Sequence, residues 1–176
     1  MRLPWTEPRR ARSWGAKKSR FRLETLPQYL VEAETEQFAE WKAGRRFRRP
    51  VEESPFLTRI KNTTAQGVRW SRARILDPLC DYSQWELWGY QENQLAGENI
   101  FVADRASSPE LTDLHEDFWL VDDEVVVKMI YDDEGHFLRP ELAENVAPYL
   151  AMRDRSLQHT IALNEYLTTR EPHLIR

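Results

Sequence analysis

The residues of this 176-residue chain with the most evident chemistry are charges set at short intervals among aromatic side chains. Arg69, Arg72 and Arg74 interleave with Trp70, and a guanidinium beside an indole face is the combination used by phosphate and nucleic-acid sites. Glu86 stands between Trp85 and Leu87, and Glu98 follows Gly97; each could be a buried acid or the ion-pair partner of one of those arginines. His115, Asp117 and Asp122 then lie within eight residues. The candidate binding set is therefore Arg69, Arg72, Arg74, Glu86, Glu98, Asp117 and Asp122. The expectation for catalysis is none, the alternative being His115 with Glu86. A basic strand tethered to a strongly acidic second half finds its counter-charges within the molecule, so self-neutralisation is favoured over ligand binding.

Metal and thiol chemistry have little support. The four histidines, His115, His136, His159 and His173, are scattered, without His-x-x-x-His or Cys-x-x-Cys spacing, and no metal or cofactor is expected. Asp122-Asp123-Glu124 and Asp132-Asp133-Glu134 cluster oxygens as a hard cation would want. They lack Asp-x-Asp-x-Asp-Gly spacing, however, and stand where hairpin turns favour Asp and Gly. Cys80 is the single cysteine, so no internal disulfide is possible, and it reads as a small core residue. P-loop, Gly-x-Gly-x-x-Gly and Gly-x-Ser-x-Gly patterns are absent.

The elements that must position these residues follow from periodicity. Residues 1–20 carry seven Lys and Arg with two prolines and read as a disordered basic arm; the span 21–170 reads as one globular domain and 171–176 as a flexible tail. Phe21–Leu26 alternates as a short strand. Glu32–Ala43 has helical spacing closed by Gly44, and Ser54-Pro55 supplies an N-cap for a helix ending at Gly67. A strand from Val68 to Leu76, a helix over Leu79–Leu95 and a strand over Asn99–Ala103 come next. Phe118–Val121 and Val125–Tyr131 form a hairpin about an acidic turn, and the chain after Pro140 reads as helical to about Thr168, with Pro148 breaking or restarting it. The fold class is α/β or α+β, a mixed sheet of about five strands with flanking helices.

Gly67-Val68-Arg69-Trp70-Ser71-Arg72-Ala73-Arg74-Ile75-Leu76, Pro78-Leu79, Asp81-Tyr82, Glu86, Gly97-Glu98-Asn99-Ile100, Asp117-Phe118-Trp119-Leu120-Val121-Asp122-Asp123 and Met129-x-Tyr131-Asp132-Asp133-x-Gly135-x-Phe137 resemble an actinobacterial domain-of-unknown-function family, from about Phe21 to Leu167. Members of that family are often encoded beside helix-turn-helix regulators and short acidic partner proteins, which implies a regulatory cassette without supplying a reaction. A more distant similarity is to phospholipase D-like domains, whose His-x-Lys-x-x-x-x-Asp motif is matched here by His115 and Asp122 with Asp117 in place of the lysine. A carboxylate there would repel the phosphodiester that the lysine should attract, and no Gly-Ser-x-x-Asn follows Val127. That similarity implies one degenerate, non-catalytic half of the fold.

Charge narrows the partner. Residues 1–74 hold 18 Lys and Arg against 8 Asp and Glu, and residues 75–176 hold 7 against 21. Much of the basic excess lies in the first twenty residues, leaving an acidic body that favours protein or cationic partners over bare nucleic acid. No apolar run is long enough to span a bilayer and no apolar segment follows the first basic residues, so the expectation is a cytoplasmic protein without membrane contact. The leading expectation is a non-enzymatic regulatory or interaction protein working with a helix-turn-helix regulator or its cassette neighbour, with room for a small-ligand pocket. The alternative is a phosphodiester hydrolase or toxin-like effector acting on nucleic acid through His115.

Overall fold

A computed structural model describes residues 15–46 and 50–176. It is a mixed α/β arrangement around one seven-stranded sheet with five α-helices among the described residues. The strands are β1 (Ser19–Glu24), β2 (Arg69–Leu76), β3 (Glu98–Asp104), β4 (Phe118–Val121), β5 (Val125–Tyr131), β6 (Phe137–Leu142) and β7 (Ile161–Ala162). Their order is β6-β5-β4-β1-β2-β3-β7. β1, β2 and β3 are mutually parallel, and the remaining neighbours are antiparallel. The helices are α1 (Thr35–Lys42), α2 (Pro55–Ala65), α3 (Asp81–Ala96), α4 (Ala147–Gln158) and α5 (Leu163–Arg170).

Parallel neighbours need crossovers, and the chain supplies them as helices: α1 and α2 between β1 and β2, α3 between β2 and β3. Strand period then divides the central residues between two faces. Phe21, Leu23, Ala73, Ile75, Phe118 and Leu120 point one way and pack with Tyr149, Leu150 and Leu157 of α4. The opposite face is apolar only at its margins. Trp70 packs with Leu57 and Ile60 of α2 at one margin, while Ile100 and Val102 pack with Leu87, Leu163 and Leu167 of α3 and α5 at the other. Between the margins this face carries Arg22, Glu24, Arg72 and Arg74, all buried.

Local signals placed the helices well. Ser54 caps α2 by accepting from the Leu57 amide at 3.3 Å, with Pro55 at the first helical position, and Gly97 closes α3 at φ 113°. Pro148 opens a new helix, as one of its two readings has it. The expected helix from Pro140 is instead β6, whose Glu141 side chain pairs with Lys128 across the strand pair, and the helix starts seven residues later. The sheet consequently has two strands beyond the expected five, β6 and the two-residue β7 at opposite edges.

Both ends of the expected domain also shift. β1 begins at Ser19, so the last residues assigned to the arm are in the sheet; the arm's residues 1–14 lie outside the described residues. The six residues after Arg170 form a turn that docks on α3: Leu174 is buried and Arg176 pairs with Glu92 while lying over the Trp88 ring.

A second tether fixes the β5–β6 turn. The Leu30 amide donates to the Gly135 carbonyl at 2.9 Å, and Gly135 has φ 95°. A Cβ there would stand 2.6 Å from the Gln28 carbonyl oxygen. Gly135→Ala should therefore lower unfolding stability by about 2 kcal/mol from the left-handed backbone and the forced displacement together, measurable as a lower urea midpoint with an unchanged slope.

Candidate functional site

The centre of the polar face is a closed cluster of three guanidiniums and four carboxylates. Parallel register places Arg22 beside Arg72 and Glu24 beside Arg74. Two neighbouring cations out of water require an anion between them, and Glu24 supplies it: its Oε1 accepts from Arg72 Nη1 at 2.7 Å and from Arg22 Nε at 3.3 Å. Arg72 Nε also donates to Glu98 Oε1 at 3.1 Å. Arg74, 0% exposed, donates through Nε and Nη2 to Glu86 Oε2 at 3.0 and 2.7 Å and through Nη1 to the Leu26 carbonyl at 2.7 Å.

Helix α3 supplies the lid because Tyr82, Glu86, Tyr90 and Asn93 recur at helical spacing on one side. Tyr90 donates to Glu24 Oε2 at 2.5 Å, and Asn93 Nδ2 donates to Glu98 Oε2 at 2.7 Å. Asp117 closes the cluster at the end of β1. Its Oδ1 accepts from the Thr25 amide and hydroxyl, both at 2.8 Å, and its Oδ2 from Tyr29 at 2.5 Å and Arg22 Nη2 at 3.0 Å. Four donors use all four lone-pair positions of this carboxylate. Arg22 Nη1 is buried without a hydrogen-bond partner, while its guanidinium lies over the Trp119 ring at 5.6 Å.

Burial and pairing push the carboxylates apart. Burial raises Glu86 from its ordinary 4.5 to about 7, against the pull of Arg74 and with the help of Glu24. Burial likewise raises Asp117, opposed by Arg22 and Tyr29. For Glu24 the burial penalty is overcome by Arg72, Arg22 and Arg74, which bring it down to about 2. Burial keeps Tyr29 and Tyr90 protonated as donors. With one more carboxylate than guanidinium, the cluster favours a proton on one of its acids, and Glu86 is a place to hold it.

The sequence candidates divide accordingly. Arg72, Arg74, Glu86, Glu98 and Asp117 come together, and the arginines are neutralised inside the molecule. Arg69 does not join them: it opens β2, has the opposite strand parity and is exposed. Asp122 is also elsewhere. It occupies the β4–β5 turn at φ 54°, and its carboxylate accepts from the amides of Lys17, Lys18 and Ser19 at 2.9, 2.8 and 2.8 Å. Burial is the largest single influence and raises its pKa, but the three amides together outweigh it and lower it. His115 is exposed in the loop ahead of β4, so the His115–Asp122 pair forms no joint site. Arg22, Glu24, Tyr29, Tyr90 and Tyr131, whose hydroxyl accepts from Arg22 Nη2 at 3.2 Å, were missed by sequence reasoning. The alternation Phe21-Arg22-Leu23-Glu24 was the available signal, since a charge at every second position of a strand whose other face is apolar must meet something polar.

One open pocket adjoins the cluster. It has a volume of about 370 Å³ and is lined by Glu32, Glu34, Phe38, Tyr82 and His136 together with the 28–31 segment that includes Tyr29. Tyr29 is shared by both, since its hydroxyl bonds Asp117 and its ring packs at 5.1 Å on Tyr131 and 6.2 Å on Tyr82. Among the described residues no group of three His, Cys, Asp or Glu side chains is placed to hold a metal, and no helix is long and apolar enough to cross a membrane.

The cluster predicts two different responses to amide substitution. Glu24→Gln strips the anion from between Arg22 and Arg72 and should cost about 3–5 kcal/mol of stability. Glu86→Gln mimics the protonated acid and should cost less. Because the folded-state pKa of Glu86 lies above the unfolded one, its contribution is complete below about 4.5 and is lost as pH rises through about 7. Glu24 behaves oppositely: its contribution is present above about 4.5 and is lost as pH falls toward about 2. Urea titrations between pH 5 and 8 should show the wild type losing stability with rising pH and Glu86→Gln with a flatter profile.

No curated protein matches the chain significantly. The family described as Domain of unknown function (DUF6879) matches residues 9–168, beginning twelve residues before Phe21 and so taking in part of the segment read as a basic arm. A match that spans both crossovers, every cluster residue and the pocket establishes that the chain belongs to the DUF6879 family.

Proposed function

We propose that the protein is a non-enzymatic regulatory and interaction module of an actinobacterial regulator cassette, acting in the cytoplasm on a protein partner such as the helix-turn-helix regulator encoded beside it. The observation that carries this reading is the use to which the reactive side chains are put. Arg72, Arg74, Glu86, Glu98 and Asp117, the groups that could have bound or activated a substrate, are buried and paired with one another. Arg72 and Arg74 are therefore held by carboxylates, Arg69 is exposed at the start of β2 away from them, and His115 stands apart on an exposed loop. A phosphodiester would have to displace Glu24, Glu86 and Glu98 to reach them. A rigid, acidic α/β scaffold with an open aromatic pocket suits recognition of a partner better than turnover of a phosphate ester.

Size-exclusion chromatography of the full chain with the neighbouring regulator at moderate salt should give one co-eluting species. Separate elution of the two folded proteins would overturn the partner assignment. Phosphodiester hydrolysis that is lost in His115→Ala would overturn the non-enzymatic reading.

A further inference from the structure

The pocket between the 28–34 segment, α1, α3 and the β5–β6 turn has a composition that selects one chemical class. Its walls are aromatic. Phe38 meets Tyr82 edge-on at 5.5 Å, Trp85 lies behind both at 5.5 Å, and Tyr29 forms a third ring wall. Its polar lining includes Glu32 and Glu34 on one side and His136 on the other, with Asp132 and Glu134 within reach of that histidine at 3.0 and 3.6 Å. Aromatic faces present negative charge, and a rim of carboxylates adds to it. The Phe38 ring already receives a cation from its own helix, Lys42 Nζ at 5.0 Å from the centroid.

Two features fix the shape before any ligand arrives. The Tyr29 hydroxyl is bonded to Asp117, and the 28–30 segment is tied to Gly135 by the Leu30 amide. A preformed wall saves the ordering entropy that an adaptable one would lose on binding. The volume, about 370 Å³, lies at the small end of ligand sites and suits one long side chain or a short segment.

We propose that this pocket receives an arginine side chain from a basic segment of the protein partner. This rests on the interaction reading above and supplies its recognition site. A guanidinium is planar, so it stacks on the Phe38 ring, which stands edge-on to the buried Tyr82, and its fork of N–H donors reaches the Glu32 carboxylate and the Glu34 carboxylate that also accepts from the Tyr82 hydroxyl. Lysine offers a point charge without the plane. Nucleic acid is disfavoured because its phosphates would meet the same carboxylates.

The test is calorimetric titration of the full chain with a blocked Gly-Arg-Gly-Arg-Gly peptide, and with the same peptide carrying lysine or citrulline. Saturable binding of the arginine peptide is expected, with lysine weaker and the neutral isostere citrulline not binding. Binding should weaken about tenfold in Glu32→Gln/Glu34→Gln and in Phe38→Leu. The first variant keeps the size of both side chains and an oxygen able to accept from the Tyr82 hydroxyl, and the second keeps apolar bulk on α1 while removing the ring. Absence of saturable binding, equal affinity for the citrulline peptide, or unchanged affinity in both variants would overturn the proposal. The regulator provides the separation from the broader reading. Co-elution that survives both variants leaves an interaction module whose recognition lies elsewhere. Arginine-peptide binding at the pocket without regulator co-elution keeps the site and removes that partner.

Discussion

Three guanidiniums removed from water in the middle of a sheet are the constraint around which the rest of this protein is arranged. Each charge costs several kcal/mol to bury and is tolerated only if it is paired and its donors are used. Arg22 and Arg72 are made neighbours by the parallel pairing of β1 and β2, so the fold must put Glu24 between them and bring Glu98, Glu86 and Asp117 from three other places in the chain. Helix α3 is held over the sheet by these contacts as much as by its apolar side. The end of β1 is pinned to the entry of β4 by Asp117, which also fixes Tyr29.

Such a cluster is a poor source of binding energy for the fold but a specific one. Replacing paired charges by apolar residues often costs nothing in stability, whereas slipping β1 by one residue would place Arg22 in the apolar layer against α4 and leave Arg72 without Glu24. The opposite face, with Phe21, Leu23, Ala73 and Ile75, supplies ordinary apolar burial. The polar face dictates register, because only one alignment gives every guanidinium a carboxylate.

The same arrangement separates two roles that looked alike in the sequence. Arginine beside tryptophan suggested an electropositive recognition strip, yet the rings and cations of the sheet largely satisfy each other: Arg20 lies over Trp70, Arg22 over Trp119 and Arg72 over Tyr90. The charges of the buried centre are thus balanced within it, whereas the pocket lining keeps the Glu32 and Glu34 carboxylates toward the surface.

The sequence by itself determined much of the local structure, because the forces involved act over a few residues. Ser54-Pro55 and Gly97 mark helix ends through backbone hydrogen bonds, the acidic turn after Val121 marks a hairpin, and alternation marks the strands. It also singled out Arg72, Arg74, Glu86, Glu98 and Asp117, which the fold brings together. Only the tertiary structure decided what they do. Leu138, Pro140 and Leu142 lack a clear strand pattern, and β6 exists through pairing with β5; whether Arg69 or Arg22 belongs to the cluster depends on parity and on which strand lies alongside. Glu24 and Arg72 are 48 residues apart, and Arg22 and Asp117 are 95 apart. Electrostatic pairing in a dry interior depends on distance in space, which sequence spacing does not encode, so the reading of these charges as an internal lock had to wait for the fold.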